Sequence, residues 1–216
     1  MRRAVIVVLA AAALGALALN CALNKAEQGA IVGAGAGGVA GAVIGKATGS
    51  TVRGAIIGAA VGGVGGAVIG HQMDKQAQEL AYDLPGATVQ RIGEGIAVTF
   101  PEGLLFGFDS DQLGSSARDN LRKLAGSLKQ YPNTRTLIVG HTDSDGSAQY
   151  NRDLSDRRAL SAANFITGEG IDRLRISTAG RGETEPIATN DSDDGRRQNR
   201  RVEIAIYTNA GSGSGN

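Results

Sequence analysis

Residues 140–159 read GHTDSDGSAQYNRDLSDRRA, and they place a charged side chain where a helix should bury an apolar one. From Asn151 onward the apolar residues recur at helical spacing, with Leu154, Ala162, Phe165 and Ile166 on one face. Arg158 lies inside that face, whereas its neighbour Arg157 turns away toward solvent. A guanidinium in an apolar stripe is costly unless a carboxylate or a ligand anion meets it. The nearest acid is Asp143, just past the run TLIVG at residues 136–140, which puts it at the mouth of a strand. The pair predicts one of two things: a structural salt bridge, or a clamp that holds the two poles of a zwitterion.

The surrounding pattern predicts a small domain. Residues 88–92 and 96–100 flank Gly93-Glu94-Gly95 and suit a hairpin of two short strands. Ser115 or Ser116 is expected to cap a helix that buries Ala117, Leu121, Leu124, Ala125 and Leu128 and ends before Pro132. The strand at Thr136 follows, then the helix with Arg158, a strand near residues 176–179 and a last strand at residues 202–207. Two crossovers between strands predict an α/β fold, an α+β sandwich with helices covering one face of the sheet.

The order GHTD, GS, YN, LSxxRA, the GxG of Gly180-Arg181-Gly182, Pro186-Ile187 and GRRQNRRVEI at residues 195–204 resembles the OmpA-like peptidoglycan-binding domain. The resemblance covers about residues 97–207 and implies a βαβαβ domain that binds the diaminopimelate of the cell-wall stem peptide. It implies that Asp143 and Arg158 hold the free amino acid end of that residue. A carboxylate suits the ammonium, and a planar guanidinium grips the carboxylate with two parallel hydrogen bonds. The same resemblance assigns ligand contacts to Phe108, Asp109 and Ser110 of the segment FGFDS and to Thr142. It gives His141, Asn151, Arg196 and Arg200 supporting roles. Of the four arginines at 196, 197, 200 and 201, most are expected on a solvated edge of the last strand.

The N-terminus predicts export. Arg2-Arg3 precede an apolar run from Ala4 to Leu19, which has the charge order of a secretory signal over residues 1–20. The lone cysteine, Cys21, cannot form an internal disulfide. Ala18-Leu19-Asn20-Cys21 resembles a lipoprotein processing box, which implies lipidation of Cys21, a lipidated linker at residues 21–28 and an outer-membrane location on the periplasmic face.

Between these ends lies a duplicated glycine ladder. Gly29, Gly33, Gly37, Gly41 and Gly45 recur 25 residues later as Gly54, Gly58, Gly62, Gly66 and Gly70. Ten glycines on one register weaken a soluble helix, but small residues at every fourth position let two helices approach closely, as they do in lipid. The spacing predicts a glycine-zipper helical hairpin over residues 29–70, each arm about 26 Å long. It resembles the glycine zippers of bacterial envelope lipoproteins, and it can insert in the bilayer, form a homo-oligomer beside it, or pack in solution. Residues 71–86 are expected as a polar connector ending at Pro85-Gly86, residues 87–208 as the binding domain and residues 209–216 as a flexible tail.

Other chemistries find little support. A net charge of +1 argues against nucleic-acid binding through bulk charge. GAGAGG at residues 33–38 satisfies GxGxxG, but no acidic residue follows about 20 positions on and the glycines continue beyond it. The acidic run NDSDDG at residues 190–195 lacks EF-hand spacing and is expected as a solvated loop. With two histidines, one cysteine and no nucleophile elbow, neither an enzyme nor a metal or other cofactor is expected. The expected function is therefore tethering of the outer membrane to peptidoglycan. The alternative is a glycine-zipper membrane oligomer or channel that the same domain anchors to the wall.

Overall fold

The computed structural model describes residues 49–61, 66–107 and 109–208. The signal segment, Cys21, the first glycine ladder, Phe108 and the tail at residues 209–216 lie outside the described residues. The elements in chain order are α1 (Thr51–Val61), α2 (Gly66–Asp83), β1 (Thr88–Ile92), β2 (Gly95–Pro101), α3 (Glu102–Leu105) and α4 (Ser115–Gln130). There follow β3 (Thr134–His141), α5 (Ala148–Gly168), a 3-10 turn (Arg173–Arg175), β4 (Ile176–Gly180), α6 (Asp193–Asn199) and β5 (Arg201–Thr208).

The five strands form one sheet in the order β1-β2-β5-β3-β4. β3 and β4 are parallel and the other pairings are antiparallel. The expected hairpin and both crossovers are present: β2 reaches β3 through α3 and α4, and β3 reaches β4 through α5. The stripe of α4 is buried as its spacing predicts. Its N-cap, however, is Gly114, which makes no side-chain cap bond, so neither Ser115 nor Ser116 plays the expected role.

Helices cover both faces of the sheet rather than one. Ile96, Val98, Phe100, Ile138, Val202, Ile204 and Ile206 meet α2, α4 and α5. The alternate residues Ala97, Leu137, Val139, Ala205 and Tyr207 meet Val52, Ala55, Ile56 and Ala59 of α1. Burial on both faces is why β2, β3 and β5 read as nearly continuous apolar runs. The second ladder thus begins in a helix that lies on the sheet, and Gly66 and Gly70 open α2. Among the described residues no helix is long and apolar enough to cross a membrane.

The expected connector at residues 71–86 is also part of the packing. Met73, Ala77, Leu80 and Leu84 repeat at helical spacing and enter the main core. Gln76, buried among them, donates to Ser127 Oγ of α4 at 3.1 Å. Few apolar side chains in a polar run suffice when all fall on one stripe. The expected acidic loop is likewise shorter, because Ser192 caps α6 by accepting from Gly195 N at 3.1 Å.

Two glycines fix the height of α5 above the sheet. Gly140 and Gly180 are partners across β3 and β4. A Cβ on Gly140 would collide with the Ser155 carbonyl oxygen, and one on Gly180 with Asp156 N and Ser155 Oγ at 2.5 Å. The helix backbone therefore lies directly on the strands at Ser155, which sets the position of Arg158 one turn further on.

Candidate functional site

α5 starts where Ser147 accepts a hydrogen bond from Tyr150 N at 3.2 Å, and its sheet-facing stripe carries Arg158 at 2% exposure. Arg157, as its angular position predicts, is half exposed and pairs with Asp111 at 3.2 Å. The Arg158 Nε donates to Ser110 O at 2.9 Å, and its guanidinium carbon lies 5.5 Å from the centre of the Phe106 ring. Its Nη2 is in ion-pair contact with Glu102 Oε1, yet the angle leaves that nitrogen without a directional hydrogen bond.

Asp143 is held just past the end of β3. Thr142 N donates to Gly182 O at 2.9 Å, Thr142 Oγ1 donates to Asp143 O at 2.9 Å, and Asp145 N donates to Asp143 Oδ1 at 3.1 Å. The carboxylate is buried, with 7% of the side chain exposed, and its Oδ2 accepts from Arg200 Nη1. Arg200 in turn donates from Nε to Glu102 Oε2 at 2.6 Å. The four side chains form one open circuit of ion pairs in the order Asp143, Arg200, Glu102, Arg158. Burial pulls the Arg200 pKa down, but its hydrogen bonds to Asp143 and Glu102 outweigh that and raise it above the usual arginine value.

The direct partner of Arg158 is thus Glu102 rather than Asp143. Asp143 and Arg158 do join one network of ion pairs, with a second acid and a second arginine between them. Glu102 escapes a sequence reading because it follows the strand at residues 96–100 as an ordinary exposed-looking residue. No local signal marks it, because Arg200, the second cation that calls for another acid, is brought beside Asp143 only by the fold.

The remaining predicted residues divide. Asp109 and Ser110 adjoin this network: Ser110 through the Arg158 bond, and Asp109, at φ 53°, through a hydrogen bond accepted from Tyr150 of α5. That bond and the Asp109 charge, with partial burial, raise the Tyr150 pKa. Asn151 is buried and donates to Glu183 Oε2 at 2.6 Å. Arg196 donates to Asn190 O at 2.7 Å and pairs with Asp145 at 3.8 Å, which braces the loop that carries Asp143.

His141 does not shape this site. Gly140 faces α5, so the alternation of β3 turns His141 to the opposite face, opposite Arg201 across the β3–β5 pairing. It is fully buried and neither ring nitrogen has a partner. Burial first, then the charges of Arg201 and Arg181, push its pKa well below the usual histidine value.

Of the four arginines at 196, 197, 200 and 201, most of which were expected on a solvated edge, only Arg197 is well exposed, at 62%. Arg201 is buried, donating to Asn199 O and Glu185 O at 3.1 Å each and to Glu203 Oε1 at 2.7 Å. Both faces of the sheet are covered, so a charge at the start of β5 must find its partners inside. On this face Glu185 also accepts from Thr51 N at 3.0 Å and so caps the first turn of α1.

Chemically the site gathers two anchored cations and two anchored anions in one network, each cation paired with an acid. Among the described residues no cluster of His, Cys, Asp and Glu could hold a metal ion.

Residues 105–200 match the OmpA family. The chain carries an OmpA family domain. Residues 1–74 match the YMGG-like Gly-zipper, so α1 and the opening of α2 come from the zipper region although they pack on the domain. The probable lipoprotein YiaD of Escherichia coli is 37% identical over 138 residues, which is 63% of this chain and 63% of YiaD. The peptidoglycan-binding protein ArfA of Mycobacterium tuberculosis is 38% identical over 103 residues, 48% of this chain and 32% of ArfA. The chain therefore spans less than two thirds of either of these relatives. Among solved structures, the cell wall anchor of the T6SS from Pseudomonas aeruginosa is 31% identical at a TM-score of 0.56, covering 62% of this chain and 96% of that one.

Proposed function

We propose that this protein is an envelope lipoprotein that binds peptidoglycan non-covalently through the diaminopimelate of the stem peptide and ties the outer membrane to the cell wall. The observation that carries the proposal is the buried circuit of Asp143, Arg200, Glu102 and Arg158. The ammonium of diaminopimelate would meet Asp143. Its carboxylate would meet Arg158, which Glu102 and the Ser110 carbonyl hold in place. The peptidoglycan-binding name of ArfA and the cell wall anchor of Pseudomonas aeruginosa support the ligand class. The lipoprotein relative YiaD supports the anchor at Cys21. In this role the protein makes and breaks no bonds, and its two ends hold two layers together.

Asp143→Ala and Arg158→Ala are each expected to abolish co-sedimentation with purified peptidoglycan, because each leaves an opposite charge unpaired at a cost of about 2 to 5 kcal/mol. Unchanged sedimentation in both variants rejects the site. Palmitate labelling that is lost in Cys21→Ala supports the anchor, and labelling that survives the substitution refutes it.

A further inference from the structure

Asp143 and Arg158 alone would meet both poles of a zwitterion, yet the network holds four charges. Glu102 stands at the first residue of α3, where its N–H donates to Arg200 O at 3.0 Å, so the end of the β2–β5 pairing fixes its backbone. Its side chain is 11% exposed and its two oxygens divide between Arg158 and Arg200. With Glu102 the four side chains sum to zero, and without it they would sum to +1. A buried site of net positive charge attracts any carboxylate, whatever else the ligand carries. A neutral circuit accepts a zwitterion without gaining charge. A carboxylate that lacks its ammonium would instead add an uncompensated anion beside Glu102 and Asp143.

We propose that Glu102 is the residue that sets ligand specificity, by balancing Arg158 and Arg200 so that the site takes a zwitterionic amino acid head and rejects a bare carboxylate. The proposal rests on the diaminopimelate function above. Specificity here is a difference between two affinities, and Glu102 supplies the repulsive part.

The test is calorimetric titration of the full chain with three synthetic tripeptides: one ending in meso-diaminopimelate, one whose distal carbon carries the carboxylate without the amino group, and one ending in lysine. The wild-type protein is expected to prefer the diaminopimelate peptide over the deamino peptide by about thirtyfold or more. In Glu102→Gln that ratio should fall about tenfold, chiefly through tighter binding of the deamino peptide, while Glu102→Asp keeps it within about threefold of wild type. A parallel loss of affinity for both peptides in Glu102→Gln marks a purely structural role and overturns the proposal. If Glu102→Gln does not fold, the wild-type protein decides: equal affinity for the diaminopimelate and deamino peptides overturns it. Absence of any binding to the diaminopimelate peptide by the wild-type chain removes the underlying function as well, a result distinct from lost selectivity.

Discussion

His141 shows how one buried ring can make the whole fold sensitive to acid. Its imidazole is enclosed, unpartnered and beside Arg181 and Arg201, so the folded protein keeps it neutral. In the unfolded chain the same ring takes up a proton below about pH 6.5. The folded pKa lies below the unfolded one, so the unfolded state binds more protons as pH falls and stability is lost between pH 7 and pH 5. One proton sets an upper slope of about 1.4 kcal/mol per pH unit. Urea unfolding at pH 7, 6 and 5 should show this decline in the wild-type protein and a flatter profile in His141→Gln. An equally steep profile in the variant assigns the pH dependence to other groups. Among residues, Arg158 was legible because a charge broke an apolar period. Glu102 and Arg201 were not, since nothing local distinguishes a buried acid or arginine from a solvated one.

The contact of α5 with β3 and β4 rests on glycines whose reasons lie in another element. At Gly140 the missing Cβ leaves room for the Ser155 carbonyl, a backbone atom that cannot swing away. Gly140→Ala should therefore cost about 3 kcal/mol or more. Gly126 of α4 is a useful contrast: it lies in a helix interior with no atom near its Cβ position. Gly126→Ala should stabilise by about 0.5 to 1 kcal/mol through helix propensity. Thermal melts of the two single variants test the pair, and a neutral Gly140→Ala would mean that α5 can rise off the sheet. The stripes of α4 and α5 were readable from their period alone. The role of α2 was not, because Met73, Ala77 and Leu80 lie in a polar run and gain meaning only from the core they enter.

The whole molecule joins its two sequence regions more closely than their compositions suggest. The residues of the network lie between Glu102 and Arg200, whereas α1 covers the opposite face through Val52, Ala55, Ile56 and Ala59. A chain beginning at Gly66 should keep peptidoglycan sedimentation, because α1 contributes nothing to the circuit. It should melt about 5 °C or more below the full chain and bind more of an apolar dye, since Leu137, Val139 and Tyr207 lose their cover. Loss of sedimentation in that chain would place the ligand site elsewhere. By itself the sequence determined the α/β order of elements, the buried arginine and the OmpA family domain, since periodicity and spaced motifs are local properties of the chain. Only the tertiary structure decided which acid pairs with Arg158, which face His141 occupies and where the second ladder begins its packing. Each of these depends on long-range pairing across the sheet, where burial is shared between segments far apart in sequence.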